Sequence, residues 1–180
     1  MPEQPGQPLA QRVIDLTGTE SMLYRSAVQP RHEDTFRQLM RRGYPGHGAI
    51  VEVGTFWGVS TVLLCDYAEH VITLDPAKRP QKYDIWKHFG VADKIEYRKG
   101  GVELLTPDEE YTMAFVDGDH SRESVERDFE AVRGCGRVLF HDYCDTFKGV
   151  RDAVNGIKGG LLCVAKPFAL WLSDEVWHNA

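Results

Sequence analysis

The chain has 180 residues, about one domain of sequence, and its 42 % apolar and 27 % charged residues exclude a disordered or fibrous protein. Lys and Arg number 21 against 27 Asp and Glu, a net charge of −6, which argues against coating nucleic acid through a basic surface. No stretch reaches the roughly 18 apolar residues of a membrane span. The opening MPEQPGQPLAQ lacks the basic and apolar regions of a signal peptide. The four cysteines (Cys65, Cys135, Cys144, Cys163) form no CxxC pair, so reduced thiols, no zinc site of their own and a cytoplasmic location are expected.

Residues 1 to about 10 are rich in Pro and Gln and read as loose. Helices are expected over roughly 10–26 and 31–42, the second with Phe36, Leu39 and Met40 on one side. GYPGHG (43–48) breaks that helix. This divides the chain into an N-terminal helical segment, 1–44, and a main domain, 45–180. From residue 49 strands alternate with helices. Strands are expected at 49–54, 70–75, 95–99, 112–117 and 137–142, with helices at 59–67, within 79–90, after a Ser121 cap, and near 147–156. Two last strands, about 161–165 and 168–173, meet at Lys166-Pro167 and read as an antiparallel hairpin. The rhythm implies a mostly parallel α/β sheet covered on both faces.

In such a sheet ligands bind outside the carboxyl ends of the strands. Those ends are unusually polar here: Glu52-Val53-Gly54, Asp75, Asp117-Gly118-Asp119-His120 and His141-Asp142. Gly54 and Gly58 frame a strand-to-helix turn where positive φ or close ligand approach calls for glycine. Asp75 lies 21 residues beyond Gly54 at the end of the next strand, where a carboxylate can accept from both ribose hydroxyls. The pair points to a nucleoside-containing ligand. The spacing is neither G-x-G-x-x-G nor G-x-x-x-x-G-K-[ST], which disfavours a pyrophosphate turn, and with it NAD, and a P-loop.

Val-Glu-Val-Gly-Thr-Phe-Trp-Gly-Val-Ser (51–60), Leu-Asp-Pro (74–76), Phe-Val-Asp-Gly-Asp-His-Ser (115–121) and Phe-His-Asp-Tyr (140–143) resemble class I S-adenosylmethionine-dependent methyltransferases. The resemblance covers about residues 45–175. It is nearest to a small bacterial group bearing DGDHS and a later HDY, and more distant from catechol-type O-methyltransferases. It implies a doubly wound, mostly parallel seven-stranded Rossmann-like sheet ending in an antiparallel hairpin, with S-adenosylmethionine as cofactor. Glu52 and Gly54 would border its methionine end, with Thr55, Phe56 and Gly58 of the same loop, and Ser60 would contact its carboxylate. Asp75 would hold the ribose, and Gly100-Gly101 would lie beside the adenine. Asp117 would stand near the sulfonium and, in metal-dependent relatives, bind a divalent cation (Mg²⁺ or another) with Asp142. Tyr143 replaces the amide that usually completes that metal site. His120 falls where catechol-type enzymes carry a basic catalytic residue.

The expected activity is O-methylation of a small hydroxylated acceptor such as a sugar, a glycoside or a phenolic metabolite. His120 is the expected base, with divalent assistance as a further route. His120 could instead orient Asp142 or cap the next helix. Asp119 reads as a turn residue, His141 as structural, and His32, His47, His70, His88 and His178 as surface or packing residues. Nucleic acid and membrane are not expected partners. The N-terminal segment, or a neighbouring copy in a homo-oligomer, would have to cover the acceptor. The alternatives are a cofactor-binding module without independent activity and a metal-dependent enzyme of another class on the same scaffold.

Overall fold

The computed structural model describes residues 6–17 and 28–179. Two helices, α1 (Leu9–Thr17) and α2 (Glu33–Gly43), precede the sheet, with a 3-10 turn at Pro30–His32 leading into α2. The sheet elements follow as β1 (Ile50–Val53), α3 (Val59–Leu64), β2 (Val71–Leu74), α4 (Gln81–His88), β3 (Ile95–Arg98) and β4 (Met113–Val116). Then come α5 (Arg122–Val132), β5 (Arg137–Phe140), α6 (Lys148–Gly156), β6 (Gly160–Ala165), β7 (Phe168–Ser173) and α7 (Asp174–His178).

One seven-stranded sheet runs β3-β2-β1-β4-β5-β7-β6. The first five strands are parallel, and β7 pairs antiparallel with both β5 and β6. The order turns back at β1, which pairs with β2 on one side and β4 on the other. That reversal opens a crevice at the strand ends. The expected strands and the final hairpin are all present, their ends within two residues of the expected ones. The helix expected to reach Tyr67 stops at Leu64, because Asp66 and Tyr67 donate to the carbonyls three residues back, Leu63 and Leu64. The helix expected over 10–26 is seen to Thr17; 18–27 lie outside the described residues. A short helix not anticipated, α7, follows β7, with Ser173 accepting the Val176 N–H as its cap.

Alternate residues of each buried strand face opposite layers. Ile50, Met113, Phe115, Leu139 and Leu170 pack under α1, α2, α3 and α4, whereas Val51, Val53, Ala114, Val116, Val138 and Phe140 pack under α5 and α6. The N-terminal helices share the first of these cores: Leu9, Val13, Phe36 and Met40 are buried in it. Among the described residues no helix is long and apolar enough to cross a membrane.

Phe36 is fully buried, with its ring 5.5 Å from Phe115 and 5.8 Å from Phe168. It joins α2 to the middle strand β4 and to the hairpin strand β7. Phe36→Ala should cost about 3–5 kcal/mol of stability in equilibrium denaturation; a loss near zero would mean that α2 is not part of the sheet's core.

Candidate active site

Glu52 points to the α3 side of β1 and is fully buried. Its carboxyl accepts from Ser60 Oγ and Thr61 Oγ1 on α3 and from Thr73 Oγ1 on β2, each at 2.6 Å. Thr73 gives its proton to Glu52, so in the 2.6 Å contact between the Thr55 and Thr73 hydroxyls Thr55 is the donor. Burial raises the Glu52 pKa and the three hydroxyls pull it back, leaving it at about 7. Beyond Glu52 the chain turns at Gly54, φ +100°, where a Cβ would stand 2.1 Å from the Asp117 carbonyl oxygen. Only glycine lets the ends of β1 and β4 approach this closely.

Phe56 is a non-glycine residue at φ 48°. Asp75 Oδ2 accepts its N–H at 2.7 Å, and Asp75 Oδ1 accepts the Ala77 N–H at 2.6 Å. Each carboxylate oxygen so engaged has a second lone pair to offer. The Arg79 guanidinium lies 3.6 Å from Asp75 and 4.4 Å from the centre of the Phe56 ring. Gly54, Phe56, Asp75, Arg79, Gly100, Gly101 and Asp117 line one cleft of about 300 Å³, closed on the α5 side by Arg127 and Asp128. That is the lower end of the roughly 300–1,000 Å³ of small-molecule sites. Two roomier hollows, about 400 Å³ beside α5 and α6 and about 800 Å³ by the 105–112 loop, contain none of the strand-end aspartates or histidines.

β4 and β5 end side by side, with Val116 opposite Phe140. The next residue on each is Asp117 and His141, and they meet: His141 Nδ1 lies 3.0 Å from Asp117 Oδ1 and 3.3 Å from Asp142 Oδ1. The other Asp142 oxygen lies 2.9 Å from His120 Nε2. The His120 ring packs against Phe147 at 4.2 Å. Gly149 seats α6 against this loop, since a Cβ there would lie 2.3 Å from the His120 carbonyl oxygen. The hydrogen bond to Asp142 raises the His120 pKa. Burial alone would lower His141, yet Asp117 and Asp142 outweigh it and carry it to about 10. Burial raises Asp117. For Asp142 burial works the same way, but the two histidines hold it well below the ordinary carboxylate range.

A family model described as a methyltransferase domain matches residues 51–143, just over half of the chain, from β1 to the residue after Asp142. The chain belongs to the methyltransferase-domain family. Solved structures agree in fold. Cofactor-bound Rv0187 from MTB is 19 % identical, with a TM-score of 0.62 over 95 % of this chain and 99 % of that one. The O-methyltransferase TomG from Streptomyces achromogenes, solved with SAM, is 20 % identical, with a TM-score of 0.62 over 96 % and 91 %. The N-methyltransferase NodS from Bradyrhizobium japonicum WM9, solved with S-adenosyl-L-homocysteine, is 11 % identical, with a TM-score of 0.60 over 92 % and 98 %. Such low identities establish the methyltransferase fold and nothing finer. No curated protein matches the chain by sequence.

Within this methyltransferase the residues singled out from sequence fall into three groups. Gly54, Phe56, Asp75, Gly100, Gly101 and Asp117 converge on the cleft. Glu52, Thr55 and Ser60 are joined by their side chains, Ser60 donating to Glu52 directly and Thr55 reaching it through Thr73, and Gly58 accepts the Trp86 indole N–H at 3.1 Å through its carbonyl. His120 and Asp142 form the pair beside Asp117. Asp119 accepts the Ser121 N–H at 2.7 Å and closes a turn. Sequence reasoning missed Arg79, Arg127 and Asp128 in the cleft wall and the contact of His141 with both aspartates. Arg79 had a faint signal, four residues after Asp75, and His141 had one in its place beside Asp142 at a polar strand end; Arg127 and Asp128 had none.

A divalent cation between Asp117 and Asp142, as expected from sequence, would have to fit these positions. Asp117, His141 and Asp142 each offer one ligand atom, all within 4.8 Å of one another. The His141 ring nitrogen, however, is already at hydrogen-bond distance from both carboxylates. Tyr143 turns its hydroxyl away to Asn155 Oδ1, 2.7 Å distant. The geometry is that of a carboxylate–imidazole cluster and does not fit a cation held by Asp117 and Asp142.

The Glu52 network makes a prediction about stability. The folded carboxyl has a pKa near 7 against an ordinary value of 4.5, so between those values the folded state binds more protons than the unfolded. The stabilisation is full below about pH 4.5 and is lost as pH rises through about 7. Glu52→Gln cannot ionise. Thermal unfolding from pH 5 to 8 should therefore show the wild type losing Tm relative to this variant as pH rises, and a pH-independent gap would refute the buried titration.

Proposed function

We propose that this methyltransferase transfers the methyl group of S-adenosylmethionine to a hydroxyl of a small acceptor, a sugar, a glycoside or a phenolic metabolite. His120 takes the proton. The observation that carries the reading is the His120–Asp142 pair, 2.9 Å long, next to a cleft whose wall includes Gly54, Asp75 and Asp117. The cofactor assignment is supported by the family match and by the like-folded TomG and NodS, solved with SAM and with its demethylated product. Within the family the DGDHS and HDY segments favour the small bacterial group that bears them.

When bound, the cofactor supplies an electrophilic methyl on a sulfonium, so the protein's tasks are positioning and proton removal. Asp75 has one lone pair open on each oxygen for the ribose hydroxyls. The Gly54 turn would offer backbone rather than side chain to the methionine end, and Gly100-Gly101 would meet the adenine through backbone. Asp117, at the end of β4, would stand near the sulfonium. An alcohol attacks well only as its proton leaves. Asp142 fixes the His120 ring through Nε2 and stabilises the protonated imidazole that results, leaving Nδ1 as the basic atom. Divalent assistance is not part of this reading, because His141 stands between the two carboxylates. The four cysteines are free thiols, in keeping with a reducing, cytoplasmic setting. The N-terminal segment, or a second copy of the chain, closes the acceptor side. Nucleic acid and membrane are not partners in this reading.

Two variants test it. Asp75→Ala should abolish binding of S-adenosylmethionine and S-adenosylhomocysteine in calorimetry; unchanged affinity would remove the ribose assignment. His120→Ala should still bind S-adenosylhomocysteine while turnover on a panel of hydroxylated acceptors falls by about 10²- to 10⁴-fold. Unchanged turnover would remove the base. A wild type that binds the cofactor but never forms S-adenosylhomocysteine would favour a binding module without activity of its own.

A further inference from the structure

We infer that the His141 ring takes the place of a divalent cation in this active site, joining the carboxylates at the ends of β4 and β5 through a single Nδ1–H. The inference rests on the methyl-transfer reading only for its consequence, that acceptor deprotonation is left to side chains. Its structural content stands alone.

Two aspartates converge, and something must relieve their mutual repulsion and their burial. A cation would sit about 2.0–2.6 Å from their oxygens. What lies between them is the ring nitrogen, 3.0 Å from Asp117 Oδ1 and 3.3 Å from Asp142 Oδ1, as a shared N–H donor would be. The ring has little room to leave. His141 is only 7 % exposed, and its ring centre lies 4.9 Å from Phe168 and 6.5 Å from Phe115, both of them fully buried.

The competing arrangement has His141 as a third metal ligand. A ligating imidazole almost always donates its other N–H to a partner that fixes the ring. Here Nε2 is buried without a hydrogen-bond partner among the described residues. The bridging role asks only for a proton on Nδ1, whichever state Nε2 takes. The remaining positions are also spoken for: the second Asp142 oxygen meets His120 Nε2 at 2.9 Å, and the Tyr143 hydroxyl goes to Asn155.

The test is Mn²⁺ binding, followed by paramagnetic resonance on the full chain saturated with S-adenosylhomocysteine. The wild type should leave the free Mn²⁺ signal unchanged. His141→Ala, which empties the place, should bind one Mn²⁺ at least about tenfold more tightly than the wild type, and adding Asp142→Asn should abolish that gain. Wild-type binding that weakens in His141→Ala would make the ring a ligand and overturn the inference. Absence of binding in both would overturn it too, since the carboxylates would then have no cation position to fill. Should His141→Ala fail to fold, the wild type decides by imidazole nitrogen–proton correlation spectra. A downfield His141 Nδ1 proton unmoved by Mg²⁺ or chelator is expected, and its disappearance on adding Mg²⁺ overturns the inference. Calorimetry with S-adenosylhomocysteine on the same samples separates the two readings: failure to bind it sinks the cofactor assignment and leaves the metal result standing.

Discussion

A carboxyl that never reaches solvent supports the geometry of the turn between β1 and α3. Glu52 gathers Ser60 and Thr61 from α3 and Thr73 from β2, and Thr73 in turn accepts from Thr55 in the turn itself. A buried carboxyl without these donors would cost several kcal/mol; with them it becomes a joint between two strands and a helix. From above, Asp75 draws in the Phe56 N–H and sets that residue at positive φ. The turn is thus fixed from both sides before any ligand arrives. Pre-ordering of this kind lowers the entropy cost of binding.

A second constraint acts at the ends of β4 and β5. Parallel pairing of Val116 with Phe140 makes Asp117 and His141 neighbours, and the backbone N–H of His141 donates to the Val116 carbonyl at 3.0 Å. Asp142 then turns to φ 56°, a conformation unusual outside glycine, and lies between two imidazoles. Strain of that sort persists where the surroundings over-determine the conformation. Here two histidine contacts do so, together with the Tyr143 N–H that donates to the Pro167 carbonyl of the hairpin. The His120–Asp142 pair and the C-terminal hairpin are therefore mechanically connected.

The N-terminal helices add to the same arrangement rather than standing beside it. Phe36 packs on Phe115 and Phe168, which are also the rings that confine His141. The half-buried His32 meets Phe168 edge-on at 6.4 Å, and its pKa falls through burial and the neighbouring Arg31 and His141. Anything that loosens this part of the core will be felt at the site.

Strand ends, helix faces and the hairpin were legible in the sequence because they depend on local periodicity and on glycine and proline punctuation. The same holds for Gly54 and Asp75, whose separation along the chain reflects one strand–helix–strand passage. Glu52 and Ser60 were legible as important, but not as partners of each other, since which face of β1 meets which face of α3 depends on packing. His141 was read as structural because a single histidine inside an apolar strand carries no pattern. Only the register between β4 and β5 brings it to Asp117, and only the reversed backbone at Asp142 brings the second carboxylate to the same nitrogen. Sequence determined the fold class and the polar strand ends, because alternation and chain punctuation are local properties. The tertiary structure alone decided which of those polar groups face the cleft and which neutralise one another, because that choice is made by contacts across strands far apart in the chain.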